Sequence, residues 1–222
     1  MNAFEEFLKN QERIYTKFKN SENDVKTNGI ERNFRLDMQG FVISIIHPDY
    51  VNESVLNFSE RIKDVSPAII YPADGLHTTL STYQNKEYDG TDYDKDLADK
   101  LCDSVRSVPN KQQFAINFPM WLYNTNSVFV AGYSDKIFFE LGNQIHNNAF
   151  KKNITLNKQW GSHITAARFL EEKNGNELTD FFKLMEEAPV IGKSIPTHIK
   201  VGYQRITDDG FTYEPIELFP LG

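Results

Sequence analysis

Two histidines in this sequence are each followed, two residues later, by a threonine. His77 and Thr79 lie in the segment GLHTTLSTY. His163 and Thr165 lie in the segment GSHITAARF. Both segments have the composition of β-strands, in which alternate side chains point to the same face. Two imidazoles and two hydroxyls around one groove suit chemistry at a phosphodiester, because one histidine can accept a proton from the attacking oxygen while the other protonates the leaving oxygen.

This chemistry needs no metal, and the sequence supplies no pattern for one. A zinc site requires three or four ligands with short spacings such as His-x-x-x-His, and that spacing is absent. The acidic segment KEYDGTDYDKD lacks a full set of calcium ligands and is typical of a solvated loop. We therefore expect neither a metal nor another cofactor.

Length, composition and charge narrow the class of protein. The chain has 222 residues, of which 40% are hydrophobic and 25% charged, so it can bury a substantial core. Its single cysteine, Cys102, excludes an internal disulfide and lies in a periodic apolar pattern typical of a core residue. The net charge of −7 argues against an extended interface with duplex DNA or long RNA. A short or single-nucleotide substrate is favoured, although an acidic protein can still carry a local positive pocket.

The start of the chain bears on its location. The segment MNAFEEFLKNQERIYTKF lacks the basic-then-apolar order of a signal peptide, and no apolar run approaches the length that spans a membrane. We therefore expect a cytoplasmic protein that does not bind membranes. We also expect it to be a monomer.

The apolar periodicity divides the chain into an N-terminal segment and a longer domain. Residues 1–40 are predicted to form an amphipathic helix followed by a polar linker, KNSENDVKTNG. Residues 41–222 are predicted to form the domain that carries both motifs. The predicted strands of this domain are 41–47, 76–82, 114–118, 128–131, 163–169, 199–203 and 213–219.

Within this domain the order strand, helix, strand, helix, strand occurs twice, over residues 41–119 and 127–205. The first helix of the first unit is predicted to be capped by Asn52. The two motif histidines are 86 residues apart and occupy matching strands, and the other elements recur at a similar offset. The repeat predicts two lobes related by a pseudo-twofold axis, with the motif strands facing each other across it.

Two His-x-Thr motifs on strands, about one lobe apart, resemble the 2H phosphoesterase superfamily. That superfamily includes RNA 2′,3′-cyclic phosphodiesterases, the so-called 2′-5′ RNA ligases and 2′-5′ oligonucleotide phosphodiesterases. The resemblance covers residues 41–203. The family motif reads His, apolar residue, Thr or Ser, apolar residue, and its second copy often continues to an arginine. HITAAR fits this pattern to Arg168, whereas HTTL departs from it at Thr78, whose side chain is expected to point into the core.

The resemblance implies an α+β fold of two pseudo-symmetric lobes. Each lobe would be an antiparallel sheet with helices outside, and the active-site groove would lie between the lobes. It also implies a metal-independent, in-line displacement in which one neutral histidine acts as base on water and the other, protonated, acts as acid toward the leaving ribose oxygen. Thr79 and Thr165 would donate hydrogen bonds to the nonbridging oxygens. The pseudo-symmetry leaves open which histidine is the base and which is the acid.

Three further residues are candidates for binding the substrate. The resemblance suggests that Arg168 contacts phosphate, whereas strict alternation places it opposite His163 in a surface salt bridge, unless a bulge redirects it. Tyr83 and Phe169 each lie six residues beyond a motif histidine, on the same predicted face. They are candidates for stacking on a base, and the alternative for both is a place in the core.

The three remaining histidines are weaker candidates for a catalytic role. His47, His146 and His198 are predicted to be surface residues or structural residues with satisfied hydrogen bonds. None of them belongs to a repeated pattern.

Two functions from different classes follow. The first is a metal-independent phosphodiesterase that hydrolyses a 2′,3′-cyclic phosphate or a 2′-5′ phosphodiester of a nucleotide or short RNA. The second is a non-catalytic module that binds a nucleotide or an RNA end. The presence of both histidines and both threonines favours the enzyme, because a binding module has less need of paired proton donors and acceptors. Cyclic oligonucleotide substrates, and ligation by the reverse reaction, remain open within the enzyme class.

Overall fold

Six α-helices and ten strands make up the described part of the chain, residues 2–32, 39–84, 93–207 and 210–222 of a computed structural model. The helices are α1 Ala3–Lys19, α2 Ser21–Asn28, α3 Asp49–Val65, α4 Lys95–Arg106, α5 Lys136–Phe150 and α6 Thr179–Glu186, with a short 3-10 turn at Gly175–Leu178. The strands are β1 Gly40–Ile46, β2 Ala68–Ile70, β3 Thr78–Gln84, β4 Ile116–Tyr123, β5 Ser127–Ser134, β6 Asn157–Lys158, β7 Ser162–Phe169, β8 Gly192–Ser194, β9 His198–Thr207 and β10 Gly210–Pro220.

The strands form one curled sheet in the order β10-β9-β1-β3-β7-β5-β4-β8, in which neighbouring strands pair in antiparallel fashion. The two motif strands, β3 and β7, lie at the centre and meet at one residue pair, Thr78 with Ile164. On one side of this centre lie β1 and β9, and on the other lie β5 and β4. The predicted α+β fold, with antiparallel halves about a pseudo-twofold axis, is confirmed.

The two halves of the sheet are not the two units of the sequence repeat. β4 belongs to the first unit but pairs with β5 of the second, and β9 belongs to the second unit but pairs with β1 of the first. Each unit therefore gives its last strand to the other half. We call β10-β9-β1-β3 the first half and β7-β5-β4-β8 the second half.

Each motif strand contains one extra residue directly after its threonine. In β3 the extra residue is Leu80, and in β7 it is Ala166. Both side chains are fully buried. A bulge of this kind shifts the alternation of side chains by one residue. Thr82 and Arg168 therefore point to the same face as the histidine and threonine that precede them.

Helices α3, α4 and α5 each have an apolar stripe at helical spacing, through which they pack on the sheet and on one another. Helix α3 packs against β2, β7 and α6, while α4 and α5 pack against each other and against strands of both halves. Helix α3 begins at Asp49 after Pro48, so the prediction that Asn52 caps it is wrong: Asn52 lies inside the first turns and is buried. Cys102 on α4 is buried, and burial raises the pKa of its thiol to about 12, which confirms it as a core residue.

The N-terminal segment is more ordered than predicted. Helix α1 begins with a reciprocal capping pair, Asn2 and Glu5. The predicted polar linker instead forms α2, with Val25 fully buried in the main core and the Ser21 hydroxyl bonded to the carbonyl of Tyr123. The polar composition of this segment predicted a linker, but the burial of one valine stabilises it as a helix packed on the core. None of the described helices combines the length and the apolar character that crossing a bilayer requires.

Candidate active site

A cavity of about 200 Å³ opens where the two motif strands meet. Six side chains of β3 and β7, or directly beside them, line it: His77, Thr79, Thr82, His163, Thr165 and Arg168. These six form three pairs, each with a spacing of 86 residues in the sequence. The structure therefore brings the four residues of the two motifs together, and the bulges add the third pair.

The cavity is positively charged relative to the rest of the molecule. Lys158 and Arg168 line it, and no Asp or Glu is among its lining residues in the described chain. The whole protein carries a net charge of −7, so the positive character is local. Such a site attracts an anion of the size of a phosphate group.

The imidazole of His77 has a defined orientation. Its Nδ1 lies 2.7 Å from the carbonyl oxygen of Gly75, which can only accept a hydrogen bond, so Nδ1 carries the proton. This leaves Nε2 as the nitrogen that exchanges a proton with a ligand. Burial lowers the pKa of His77 to about 4; the Gly75 carbonyl acts in the opposite direction, and the charge of Lys200 lowers the pKa further. His77 is therefore a neutral base in the empty site at neutral pH.

The imidazole of His163 is held by aromatic rings. The indole of Trp160 stacks on it with ring centroids 4.1 Å apart and planes 21° apart, and Phe129 meets it edge-on at 5.6 Å. Its Nδ1 is buried and makes no well-formed hydrogen bond within the described chain. Burial lowers the pKa of His163 to about 3, and the nearby His77 and Arg168 lower it further, against the influence of the Gly161 backbone.

The two imidazoles also affect each other. Charge on His77 is one cause of the lowered pKa of His163. Protonation of one ring therefore disfavours protonation of the other. This coupling opposes a state in which both rings are protonated, so a proton taken up by the pair makes one ring an acid and leaves the other a base.

Arg168 faces the cavity because of the bulge at Ala166. Its Nε donates a hydrogen bond of 2.9 Å to the hydroxyl of Tyr71, and Tyr71 stacks on Phe211 at 4.1 Å. No carboxylate in the described residues pairs with Arg168, so the surface salt bridge considered from strict alternation is not found there. The bond to Tyr71 fixes the guanidinium at the edge of the cavity.

The same bulges turn two predicted substrate-binding residues away from the cavity. The prediction that Phe169 shares the face of His163 is wrong: Phe169 is fully buried and packs edge-on against Phe181 at 5.4 Å. Tyr83 lies beyond the bulge at Leu80 and packs against the main core, so its predicted place beside His77 is also wrong. Neither aromatic ring lies where it could stack on a base in the cavity.

Sequence reasoning missed several lining residues. The short strands β2 and β6 each pair with the motif strand of the other repeat unit. β2 pairs with β7, and β6 pairs with β3. Tyr71, directly after β2, and Asn157 of β6 line the cavity, and these two are again 86 residues apart. Strands of two or three residues show no periodicity, so the offset of the repeat was the only signal that could have found them. Trp160 lies just before the second motif, where a large aromatic residue is a visible signal.

His47 lies behind the site. Its Nδ1 is 2.8 Å from the hydroxyl of Ser194, and its Nε2 is 2.9 Å from the hydroxyl of Thr78. The ring is buried, and burial followed by the nearby His77 lowers its pKa to about 3. This confirms His47 as a structural histidine with satisfied hydrogen bonds. It also explains why a threonine occupies the second position of the first motif, since the Thr78 hydroxyl has a partner in the core.

The other two histidines have the roles predicted for them. Nε2 of His146 lies 2.7 Å from the hydroxyl of Ser81, and burial lowers its pKa to about 4. His198 is partly exposed, and its Nδ1 lies 3.0 Å from the hydroxyl of Thr197. Neither residue lines the cavity.

The described residues contain no group of three or more His, Cys, Asp or Glu side chains that could hold a metal ion. The acidic segment KEYDGTDYDKD falls mostly on residues 85–92, which lie outside the described residues.

No family model and no curated protein matches the sequence. The structure, in contrast, is similar to solved structures. It matches Escherichia coli LigT complexed with ATP at a TM-score of 0.54 and 13% identity, covering 82% of this chain and 98% of LigT. It matches the protein TT0787 of Thermus thermophilus at a TM-score of 0.58 and 14% identity, covering 82% of this chain and 97% of the other. A third structure, described as a phosphoesterase, matches at 0.58 and 14%, covering 82% and 98%.

These similarities show a shared fold. LigT is a 2H phosphoesterase, so the fold that the two His-x-Thr motifs implied is the fold observed.

Proposed function

We propose that this protein is a phosphodiesterase that uses His77 and His163 as a general acid and base pair. Its substrate would be a 2′,3′-cyclic phosphate or a 2′-5′ phosphodiester of a nucleotide or short RNA. The observation that carries the proposal is the joint position of both histidines and both motif threonines on one cavity that is lined by cations. The similarity to LigT and to a phosphoesterase supports the same class of reaction.

The proposed reaction is an in-line displacement at phosphorus. The neutral histidine accepts a proton from water as the water oxygen bonds to phosphorus. The other histidine, protonated, gives its proton to the ribose oxygen as the bond between that oxygen and phosphorus breaks. The product is a phosphate monoester and a free ribose hydroxyl. Either histidine can take either part, according to whether the 2′ or the 3′ oxygen leaves.

Three side chains are placed to stabilise charge on the phosphate. The hydroxyls of Thr79 and Thr165 face the cavity next to the two imidazoles, and Arg168 lies beyond Thr165 on the same strand. Donors that are fixed before the substrate arrives stabilise the transition state without reorganisation. The bond from Arg168 to Tyr71 provides that fixation for the guanidinium.

The lowered pKa values suit a site that is completed by its substrate. Burial lowers the pKa of both imidazoles and so favours their neutral form at pH 7. A phosphate anion beside an imidazole favours the charged form and raises its pKa. Substrate binding would therefore take up one proton and create the acid that the reaction needs, while repulsion between the rings keeps the second one neutral.

A substrate panel tests the proposal. Nucleoside 2′,3′-cyclic phosphates, 2′-5′ and 3′-5′ dinucleotides and cyclic oligonucleotides are incubated in EDTA with the wild type, His77→Ala and His163→Ala. His198→Ala is the matched control, because His198 is partly exposed and does not line the cavity. We expect turnover of at least one 2′-linked substrate by the wild type and the control, and its loss in both cavity variants. Binding of these compounds without any turnover would overturn the proposal in favour of a nucleotide-binding or RNA-end-binding module.

A further inference from the structure

Helix α1 lies outside the repeated domain but packs beside the second motif. Its buried residues Phe7, Gln11 and Tyr15 recur every four positions and form one stripe. Phe7 packs against the rings of Phe138 and Phe139 on α5, which fixes the first half of the helix. The second half of α1 lies against the second half of the sheet, with β4 among its contacts.

Two polar side chains of α1 bond to the backbone next to His163. The carboxamide oxygen of Gln11 accepts a hydrogen bond of 3.1 Å from the backbone N–H of Ser162, the residue before His163. The hydroxyl of Tyr15 donates to the carbonyl of Gly132 at 3.0 Å and accepts from its N–H at 3.2 Å. Gly132 on β5 pairs with Ser162 on β7, so the two contacts hold the same residue pair of the sheet.

The fit between α1 and this backbone is close. A Cβ atom at Gly161 would lie 3.1 Å from Cγ of Gln11 and 3.3 Å from the hydroxyl of Tyr15. Gln11 and Tyr15 are themselves fully buried. A buried polar side chain must find its partners in the fold, so these two residues specify where the helix sits relative to β7.

A chain of aromatic contacts runs from α1 to the ring of His163. Tyr15 and Phe18 meet the indole of Trp160 edge-on, at 5.8 Å and 6.3 Å. Trp160 stacks on His163 at 4.1 Å. Phe18 also meets Phe129, the second ring against His163, at 5.2 Å. Both aromatic supports of His163 are thus themselves supported by α1.

We propose that α1 is a positioning element of the active site, in which Gln11 and Tyr15 are positioning residues that act on His163 through Ser162 and Trp160. This inference rests on the proposed function, because it names what holds one member of the catalytic pair. The reason for such a support is geometric. The Nδ1 of His163 interacts with the Gly161 backbone only outside strict hydrogen-bond geometry, so the orientation of the ring also depends on the stacked indole and on the backbone that carries it.

The test uses two substitutions in the full-length chain. Tyr15→Phe keeps the aromatic ring against Trp160 and removes only the hydroxyl that bonds to Gly132. Gln11→Leu removes the acceptor for the Ser162 N–H. Each variant is expected to lower kcat roughly 10- to 100-fold on the best substrate of the panel, with little change in KM, because a small displacement of a catalytic group costs that much. In NMR spectra the ring signals of His163 should shift and those of His77 should not.

Tyr133→Phe is the matched control. It removes another phenol hydroxyl that ties α1 to the sheet, through Glu12 at 3.0 Å, but one that does not touch Gly132 or Ser162. We expect it to keep the wild-type kcat and the wild-type His163 signals. Equal losses in Tyr133→Phe and Tyr15→Phe would overturn the proposal, since general docking of α1 would then explain both.

The NMR measurement separates this inference from the proposed function. A protein that turns over no substrate, but whose His163 signals move in Tyr15→Phe and Gln11→Leu and stay fixed in Tyr133→Phe, supports the positioning role and refutes the phosphodiesterase. An active protein whose kcat and His163 signals are unchanged in Tyr15→Phe and Gln11→Leu refutes the positioning role alone. If Gln11→Leu fails to fold, the isosteric Tyr15→Phe decides.

Discussion

The two motif histidines occupy matching places in the repeat but are held by different chemistry. His77 is oriented by a hydrogen bond from its Nδ1 to a backbone carbonyl, and its ring lies 5.9 Å from that of Tyr213. His163 is oriented by a stacked indole and an edge-on phenyl ring. The repeat thus places the two motif histidines at matching positions, while the Nδ1 hydrogen bond to the backbone is well formed at His77 and poorly formed at His163. This difference is a physical basis on which two equivalent histidines can acquire unequal roles.

The residues behind the two motif strands differ as well. Thr78 and Ile164 are the equivalent middle residues of the two motifs, and they pair with each other across the pseudo-twofold axis. Behind Thr78 lies a buried polar chain through His47 to Ser194. Ile164 instead packs in the apolar core. A polar chain thus lies behind the middle residue of the first motif, and apolar packing lies behind that of the second.

The largest expected effect comes from removing either histidine. His77→Ala and His163→Ala should each lower kcat about 10² to 10⁴-fold, because each removes one of two proton transfers. The double variant should be little worse than either single variant, because groups that act as a unit are not additive. Single-turnover rates on the best panel substrate provide the measurement. A single variant that keeps wild-type activity would show that the pair does not act together.

A smaller effect is expected at the third pair of cavity residues, where the two halves differ most. Arg168→Lys should lower kcat about 10² to 10³-fold, as the loss of one fixed donor to a transition state does. Tyr71→Phe, which removes only the bond to Nε, should cost less. Thr82→Val is the comparison in the other half and should cost least. Equal losses in Arg168→Lys and Thr82→Val would mean that the guanidinium group of Arg168 contributes nothing specific.

The support behind the first half is expected to affect stability more than activity. His47→Leu leaves the hydroxyls of Thr78 and Ser194 buried without their partner, which should cost about 1 to 3 kcal/mol of unfolding free energy. Urea denaturation measures this cost, with His198→Ala as the control. A variant of normal stability would show that water or another group replaces the imidazole.

The same histidine predicts how stability depends on pH. Burial lowers the pKa of His47 to about 3, well below its ordinary value near 6.5, so the unfolded chain binds a proton more readily than the folded one. The stability that neutral His47 contributes should therefore be complete above about pH 6.5, and it should be lost as the pH is lowered from there toward 3. Urea midpoints at several pH values will show this slope, and His47→Leu should make it shallower. An unchanged slope would assign the acid sensitivity to other groups.

The smallest expected effect distinguishes the electrostatics of the two histidines. Lys200 is buried, donates to the carbonyl of Asp74 at 2.8 Å, and its charge lowers the pKa of His77. Lys200→Met should therefore raise the pKa of His77 and should not raise that of His163, which Lys200 affects only through the coupling of the two rings. Histidine signals followed by NMR titration measure both at once. A rise of both pKa values would mean that the two rings share one electrostatic environment rather than two.

The features that could be predicted from the sequence are those with a local signal. The apolar periodicity indicated most helices and long strands, and the offset between His77 and His163 indicated the repeat. The bulges at Leu80 and Ala166 could not be predicted, because both are ordinary apolar residues in apolar strands and only the pairing with a neighbouring strand shows them. That single unpredicted residue in each strand brought Arg168 into the cavity and turned Phe169 and Tyr83 out of it.

Other features could not be predicted because they depend on contacts between residues that are far apart in the sequence. Helix α2 is polar in composition and is held by Val25 against a core built from distant residues. The exchange of β4 and β9 between the halves leaves no trace in local sequence, since each strand alternates as it would beside any partner. The contacts of α1 with Ser162 and Gly132 also join residues more than a hundred positions apart.

The exchange of β4 and β9 affects when the sheet can be completed during synthesis of the chain. β1 is complete only when β9 pairs with it, and β9 begins at residue 198, far along the chain from β1 at residues 40–46. During synthesis both motifs leave the ribosome while one edge of β1 is still unpaired, and an unpaired edge invites association with other chains. Contacts of such large sequence separation also slow folding. A chain that ends after residue 190 would carry every catalytic candidate and still lack the strand that closes the sheet around the first of them.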